Sequence, residues 1–207
     1  MSTQKSTVYV VEDNPSFRKS VERLIRVSGC DVVSFGSANS FLAQDAIRHP
    51  ACLLLDVQLP DMDGLLLQQG LMGKGFDLPV IFMTGHGSIP MSVKAMKSGA
   101  IDFLSKPFEK KDLLAAIGQA LTHDIRRLEE AHEKKEINAL LDTLTPREKE
   151  VMCFVIAGRL NKQSAHALGI AEKTIKVHRS RVMQKTGVSP VAELVRLAEN
   201  AGIAPAD

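Results

Sequence analysis

The chain has 207 residues, 44% hydrophobic and 24% charged, with 26 Lys and Arg against 24 Asp and Glu. That length suits two domains of about 100 to 150 residues each, and the composition is that of a folded globular protein rather than a disordered or fibrous one. No apolar run approaches the ~20 residues of a membrane span, residues 1–7 are too short and polar for a signal peptide, and Cys30, Cys52 and Cys153 lack any Cys-x-x-Cys spacing, so a cytosolic protein with reduced thiols is expected, with no membrane, disulfide framework or zinc cage.

The first 120 residues alternate strand and helix. Thr7–Val11 is a β-branched apolar run, and Glu12-Asp13-Asn14-Pro15 follows it as a turn with a proline suited to a first helical turn. Phe17, Val21, Leu24, Ile25 and Ser28 share one face of the next segment, which Gly29 ends. The alternation then repeats: strand 31–35, helix near 37–46, strand 51–56, helix near 64–71, strand 79–84, helix 88–98, strand 102–105 and a helix from Glu109. Strands apolar on both faces, each followed by a helix, predict a doubly wound α/β domain with five parallel strands. Leu113, Ile117, Leu121, Ile125 and Leu128 continue the last helix toward a charged stretch at 126–136, and one long helix to about Lys135 is expected. The stripe fades after Leu128 and is too short for three heptads, so a solvated tether is favoured over a coiled-coil lever.

In such sheets ligands bind beyond the carboxyl ends of the strands. The first strand is followed by Glu12 and Asp13; the third ends at Asp56, the fourth at Thr84, and Lys106-Pro107 follows the fifth. Crowded carboxylates repel unless a cation sits among them, and hard oxygen ligands in this number suit Mg²⁺. An Asp nucleophile with a metal, a lysine and a hydroxyl suits phosphoryl transfer, where positioning and charge neutralisation carry most of the catalysis. Asp56 alone reads more simply as a cap or turn former; the order and spacing of all five residues favours the site.

Glu12-Asp13, Asp56 with Leu59-Pro60-Asp61-Met62-Asp63-Gly64, Thr84-Gly85-His86-Gly87 and Lys106-Pro107-Phe108 together resemble the receiver domain of two-component response regulators, over roughly residues 5–123. Pro90-Met91 and Ala95-Met96-Lys97-Ser98-Gly99-Ala100 are most similar to the FixJ-like branch. The resemblance implies Asp56 as phosphoacceptor, Asp13 and the Gln58 carbonyl as Mg²⁺ ligands with Glu12 acting through water, and Lys106 and Thr84 on the phosphoryl group. It also implies Phe103 as the aromatic that turns inward with Thr84, and a cis Lys106-Pro107 bond. Glu12 stands where many receivers have Asp, and its longer side chain shifts the carboxylate.

Residues 121–142 carry 4 basic and 6 acidic side chains, whereas residues 143–207 carry 10 basic and 6 acidic. Thr145-Pro146-Arg147-Glu148 reads as a helix start, with Val151, Met152, Val155 and Ile156 as its apolar face and Gly158 near its end. A short helix from Asn161 and a second across Ile175, His178 and Val182, joined through Gly169, fit a helix-turn-helix. Lys173, Val177, Ser180, Arg181 and Gln184 lie opposite Ile175, flanked by Thr174 and Lys176. That face is polar and cationic, as a helix read into a duplex groove requires. With so few aromatics, single-strand stacking is disfavoured.

Leu144-Thr145-Pro146-Arg147-Glu148, Gly169 through His178, and Lys185-Thr186-Gly187-Val188 resemble the LuxR-type four-helix DNA-binding domain, over about residues 140–202. Ser164 replaces an apolar residue usual there, weakening one packing contact. Thr145 and Lys162 are candidate phosphate contacts; Lys173, Thr174, Lys176, Val177, Ser180 and Arg181 are candidates at the groove. Arg179 is divided between an internal salt bridge and a phosphate, and His178 reads as a packed core histidine. The resulting expectation is a response regulator transcription factor of the FixJ/NarL type, with a receiver at 5–123, a helical linker at 124–142 and a DNA-binding domain at 143–202. A sensor histidine kinase would phosphorylate Asp56, a homodimer would bind paired half-sites in promoter duplex DNA, and RNA polymerase would be activated. Two alternatives remain: a phosphatase of the haloacid-dehalogenase type, although those carry Asp-x-Asp after the first strand, and a binding module indifferent to phosphorylation.

Overall fold

The computed structural model describes residues 5–85 and 89–206, and the chain divides into two compact units, Met1–Leu128 and Glu129–Asp207. His86, Gly87 and Ser88, part of the Thr84-Gly85-His86-Gly87 pattern and the first residue of the helix read at 88–98, lie outside the described residues.

In the first unit β1 (Thr7–Val11), β2 (Asp31–Phe35), β3 (Ala51–Asp56), β4 (Val80–Thr84) and β5 (Asp102–Ser105) form a parallel sheet in the order β2-β1-β3-β4-β5. Successive side chains on a strand point to opposite faces, so the all-apolar strands feed two cores at once. Tyr9, Val11, Leu53, Leu55 and Phe82 pack on one face, with Phe41, Leu67 and Ala95 from the helices that cover it. Val8, Val10, Leu54, Ile81 and Met83 pack on the other, with Val21, Ile25, Leu113 and Ala116. Covering both faces is what lets a parallel sheet run nearly without polar residues.

The helices are α1 (Pro15–Val27), α2 (Ala38–Leu42), α3 (Gly64–Leu71), α4 (Ile89–Lys97) and α5 (Lys110–Asp142). Asn14 caps α1, its side chain accepting from the Ser16 and Phe17 N–H groups, and Gly29 leaves it at φ +91°, a conformation that costs a residue with a Cβ. The helix expected at 37–46 is only the five residues of α2. Ala43, Asp45 and Ala46 are exposed, so another turn would bury nothing. The chain instead crosses to β3 as a loop, tied by the Arg48 N–H donating to the Tyr9 hydroxyl at 2.8 Å.

The last helix departs from its apolar reading in two ways. Its buried face runs through Leu113, Ala116, Ile117 and Ala120 to Asp124, which is wholly buried, while Ile125 is exposed. Asp124 accepts from the Ala51 N–H at 2.8 Å and from Arg127 at 2.7 Å, and its Oδ2 lies 2.7 Å from His49 Nδ1. Arg127 also pairs with Asp77. Burial works against the ionised carboxylate, but these donors hold its pKa below the ordinary value. The helix also runs on to Asp142 rather than stopping near Lys135. Residues 129–136 are exposed, as a tether would be, but Ile137 and Leu141 are buried in the second unit's core.

That second core gathers Val151, Met152 and Val155 of α6 (Pro146–Ile156), Ala165 of α7 (Asn161–Leu168), Ile175 and Val182 of α8 (Glu172–Thr186), and Leu194 and Leu197 of α9 (Val191–Asn200). The turn between α7 and α8 is made by Gly169 at φ +63°. Among the described residues no helix is long and apolar enough to cross a membrane.

Asp124→Ala is expected to destabilise the first unit by about 3 kcal/mol, the cost of leaving the partly buried Arg127 and the buried Ala51 N–H without their carboxylate. Urea unfolding of the whole chain followed by fluorescence checks it, because Tyr9 is the single tyrosine in a chain without tryptophan.

Candidate functional site

Three strand ends and one loop build an acidic pocket. Glu12 and Asp13 leave the end of β1, Asp56 is the last residue of β3, and β3 lies between β1 and β4. One carboxylate oxygen from each of the three lies within 4.8 Å of the others. Glu12 and Asp56 are buried, whereas Asp13 faces solvent. Lys106, after β5, closes the pocket: its Nζ donates to Glu12 Oε2 at 2.5 Å and to Asp56 Oδ2 at 2.6 Å. The remaining oxygens are also engaged, Asp56 Oδ1 by the Gln58 N–H at 3.1 Å and Glu12 Oε1 by the Asn14 N–H at 3.3 Å. Glu12 nevertheless has a raised pKa, because burial outweighs the stabilisation that Lys106 supplies. The added methylene of Glu12 therefore brings its carboxylate onto the lysine.

Two aromatic residues without a local signature back the lysine, Phe17 directly and Phe108 through Phe17. Lys106 Nζ sits 4.5 Å from the Phe17 ring centroid, a cation–π distance, and the Phe108 ring packs edge-on against Phe17 at 5.7 Å. The Lys106-Pro107 peptide is cis. The loop after Asp56 is fastened at both ends. Asp61 accepts from the Ala38 and Asn39 N–H groups at the start of α2, and Asp63 accepts from the Leu65 N–H at the start of α3, 2.8 Å away. Gly64 is required by closeness, since a Cβ there would collide with the Asp56 carbonyl oxygen and lie 3.0 Å from Val57 Cα.

Thr84 is wholly buried at the end of β4. Phe103, one residue into β5, is half-buried, its ring 6.4 Å from that of Phe82. The donor set of carboxylates and the Gln58 backbone, already sheltering one cationic group, fits a hard divalent cation such as Mg²⁺.

In the second unit Thr145, Lys162, Lys173, Thr174, Lys176, Val177, Ser180 and Arg181 are all exposed. Six of them lie on α8, whose opposite face buries Ile175 and Val182. Thr145 caps α6 in a capping box, its hydroxyl accepting from the Glu148 N–H and Glu148 accepting from its own N–H, and Lys176 pairs with Glu172 at 3.2 Å. Arg179 hydrogen-bonds Asn161 Oδ1 at 3.4 Å, a neutral partner rather than the acid of a salt bridge. His178 is half-buried with Nδ1 turned inward. Ser164 is buried without loss, its hydroxyl donating to the Leu160 carbonyl at 3.2 Å.

Lys185, counted with the basic run, turns inward. It donates to the buried Glu148 at 2.7 Å and to the Thr143 carbonyl at 2.9 Å. The capping box is visible in the sequence as Thr-x-x-Glu; the lysine, 37 residues away, has no local signature.

A doubly wound domain with a lysine-closed acidic pocket, followed by a helix-turn-helix with a cationic outer face, is the architecture of a response regulator that controls transcription. Residues 8–118 match the response regulator receiver domain family and residues 142–198 the LuxR family of bacterial regulatory proteins, and the chain belongs to the response regulators that combine the two. It is 45% identical to Nodulation protein W of Bradyrhizobium diazoefficiens, over 98% of this chain and 89% of that one. Among solved structures, the response regulator StyR matches with a TM-score of 0.83 at 44% identity, covering 94% of this chain and 98% of its own. Full-length FixJ from B. japonicum matches at 0.60 and 38% identity, covering 97% and 98%. The family consists of DNA-binding transcription factors rather than enzymes, which disposes of the phosphatase alternative; its receivers bind Mg²⁺ at an acidic pocket and take a kinase as partner.

The Glu148–Lys185 pair carries a pH dependence. The Lys185 hydrogen bond, followed by the Thr145 N–H, lowers the Glu148 pKa from 4.5 to about 2. A carboxylate with a depressed folded-state pKa adds stability that is present above its unfolded value and lost as pH falls through the folded one. The difference in urea midpoint between wild type and Glu148→Gln should therefore be constant from pH 7 to 5 and shrink between about 4.5 and 2, read from helical circular dichroism or from methyl signals of the second unit.

Proposed function

We propose that this response regulator accepts a phosphoryl group on Asp56 from a sensor histidine kinase and answers by dimerising on promoter DNA. The observation that carries the reading is the double hydrogen bond of Lys106 to Glu12 and Asp56: a fixed cation already held against the one buried carboxylate that ends the central strand. Asp56 attacks phosphorus and the phosphoryl group passes from the kinase histidine to the carboxylate oxygen. Lys106 then exchanges its contact with Asp56 for one with a phosphoryl oxygen, and the Thr84 hydroxyl donates to another. Asp13, Asp56 and the Gln58 carbonyl would hold Mg²⁺ with Glu12 behind them, and the ion when bound would neutralise charge on the transferring group.

Movement of Thr84 toward the phosphoryl group vacates space that the half-buried Phe103 ring can enter, so chemistry at Asp56 becomes a change of the α4 and β5 surface. That surface is apolar enough to pair: Ile89 is 81% exposed, and Val93 and Met96 are about half exposed. A two-fold receiver dimer would bring two α8 helices to paired half-sites and multiply a modest single-site affinity. Thr145 and Lys162 meet phosphates, Lys173, Thr174, Lys176, Val177, Ser180 and Arg181 face the groove, and RNA polymerase is recruited in the cytoplasm to activate transcription. The receiver is assigned to 5–123, the linker to 124–142 and the DNA-binding domain to 143–202.

Acetyl phosphate with Mg²⁺ should label the wild type and not Asp56→Asn. The labelled protein should sediment as a dimer and bind duplexes selected from a random pool more tightly than the unlabelled protein, with Arg181→Ala weakening that binding by about 1–3 kcal/mol. Equal DNA affinity for Asp56→Asn and phosphorylated wild type would refute the switch.

A further inference from the structure

We infer that Arg18 is a positioning residue for the metal half of the acidic pocket, and that the missing side chain at Gly36 gives its guanidinium the room to lie there. The inference rests on the Mg²⁺ reading above. Arg18 lies on the first turn of α1, half-buried, and its Nη1 donates to the Glu12 carbonyl at 2.5 Å and to the Asp13 carbonyl at 3.4 Å. These are the two consecutive residues whose side chains supply the first strand's share of the pocket. Their carboxylates point one way, Glu12 into Lys106 and Asp13 to solvent, while their carbonyls converge on a single cationic group.

The guanidinium has a second neighbour that fixes where it can be. A Cβ on Gly36 would lie 3.3 Å from Arg18 Nη1 and 3.8 Å from Cζ. Gly36 follows β2, whose last residue, Phe35, accepts the Glu12 N–H through its carbonyl at 3.1 Å. Gly36 is not among the glycines with positive φ, so its backbone does not call for glycine; the space for the arginine does. Arg18 thus spans the exits of β1 and β2 and clamps the backbone from which Asp13 and Glu12 project. Removing an outer group that orients metal ligands typically lowers affinity about 10- to 100-fold.

The sign of the effect separates this role from plain electrostatics. A positive charge close to three carboxylates repels a divalent cation, so deleting it would tighten Mg²⁺ binding if charge were all it contributed. A clamp predicts the reverse. In full-length protein titrated calorimetrically with Mg²⁺, Arg18→Met is expected to weaken binding by about 10- to 100-fold. Arg18→Lys, which keeps the charge but is one bond shorter than the Nη1 that touches both carbonyls, should recover only part of the loss. Gly36→Ala should weaken binding in the wild-type background and have no effect in Arg18→Met, because its Cβ acts only through the guanidinium. Urea midpoints read from Tyr9 without Mg²⁺ identify any variant that lost its fold, and the weakening by Gly36→Ala in the wild-type background, with Arg18→Lys, is the measurement that stands if Arg18→Met is such a variant. Tighter or unchanged Mg²⁺ binding in Arg18→Met, or a Gly36→Ala effect that persists without the arginine, would overturn the inference alone. Absence of Mg²⁺ binding in wild type, equal to that in Asp13→Asn, would overturn the metal reading and this inference with it.

Discussion

The ammonium of Lys106 is the charge on which the first unit's site depends. Two carboxylates, Glu12 and Asp56, are buried at adjacent strand ends, and each desolvated ion costs several kcal/mol unless a partner offsets it. The sheet order supplies that partner from a distance in sequence: β1 and β3 are neighbours, β5 is two strands away, and the lysine after β5 reaches back over the strand ends with Phe17 and Phe108 beneath it. One cation serves two anions, so the pocket retains an uncompensated negative charge and a ready place for further positive charge. Under the proposed function, a phosphoryl group added at Asp56 would change the balance that this one lysine keeps, and the change would be felt along β4 and β5.

Much of this was legible in the sequence because the signals are local. Short β-branched runs, glycines at helix ends and a carboxylate or hydroxyl after each strand are contained in windows of a few residues, and the five strands, Asp56, Thr84 and Lys106 follow from them. The second unit's helix starts are equally local: Thr145 with Glu148 forms the box its spacing announces, and Gly169 takes the turn.

What the sequence hid is non-local or polar where apolarity was assumed. Asp124 interrupts a helical stripe of leucines and isoleucines without a local signal, because its partners are His49 and the Ala51 N–H, over seventy residues upstream. Arg18 reads as an ordinary charged residue on an amphipathic helix until the carbonyls it binds are seen. The end of α5 is hidden for the same reason: Ile137 and Leu141 look isolated beside a charged run, and only the core they enter makes them a face. The short α2 shows the converse, a sequence compatible with helix in a place where further turns have nothing to cover.

The inward turn of Lys185 reduces the phosphate footprint of the second unit. The run from Glu172 to Lys185 contains five cations, but Lys185 is held by the buried Glu148, leaving Lys173, Lys176, Arg179 and Arg181. Counterion release contributes a slope of about −0.9 in log K against log salt for each phosphate neutralised. This helix would therefore supply at most about −3.6 per protomer rather than about −4.5. Duplex binding by a single unit would be correspondingly less sensitive to ionic strength than a count of basic residues implies.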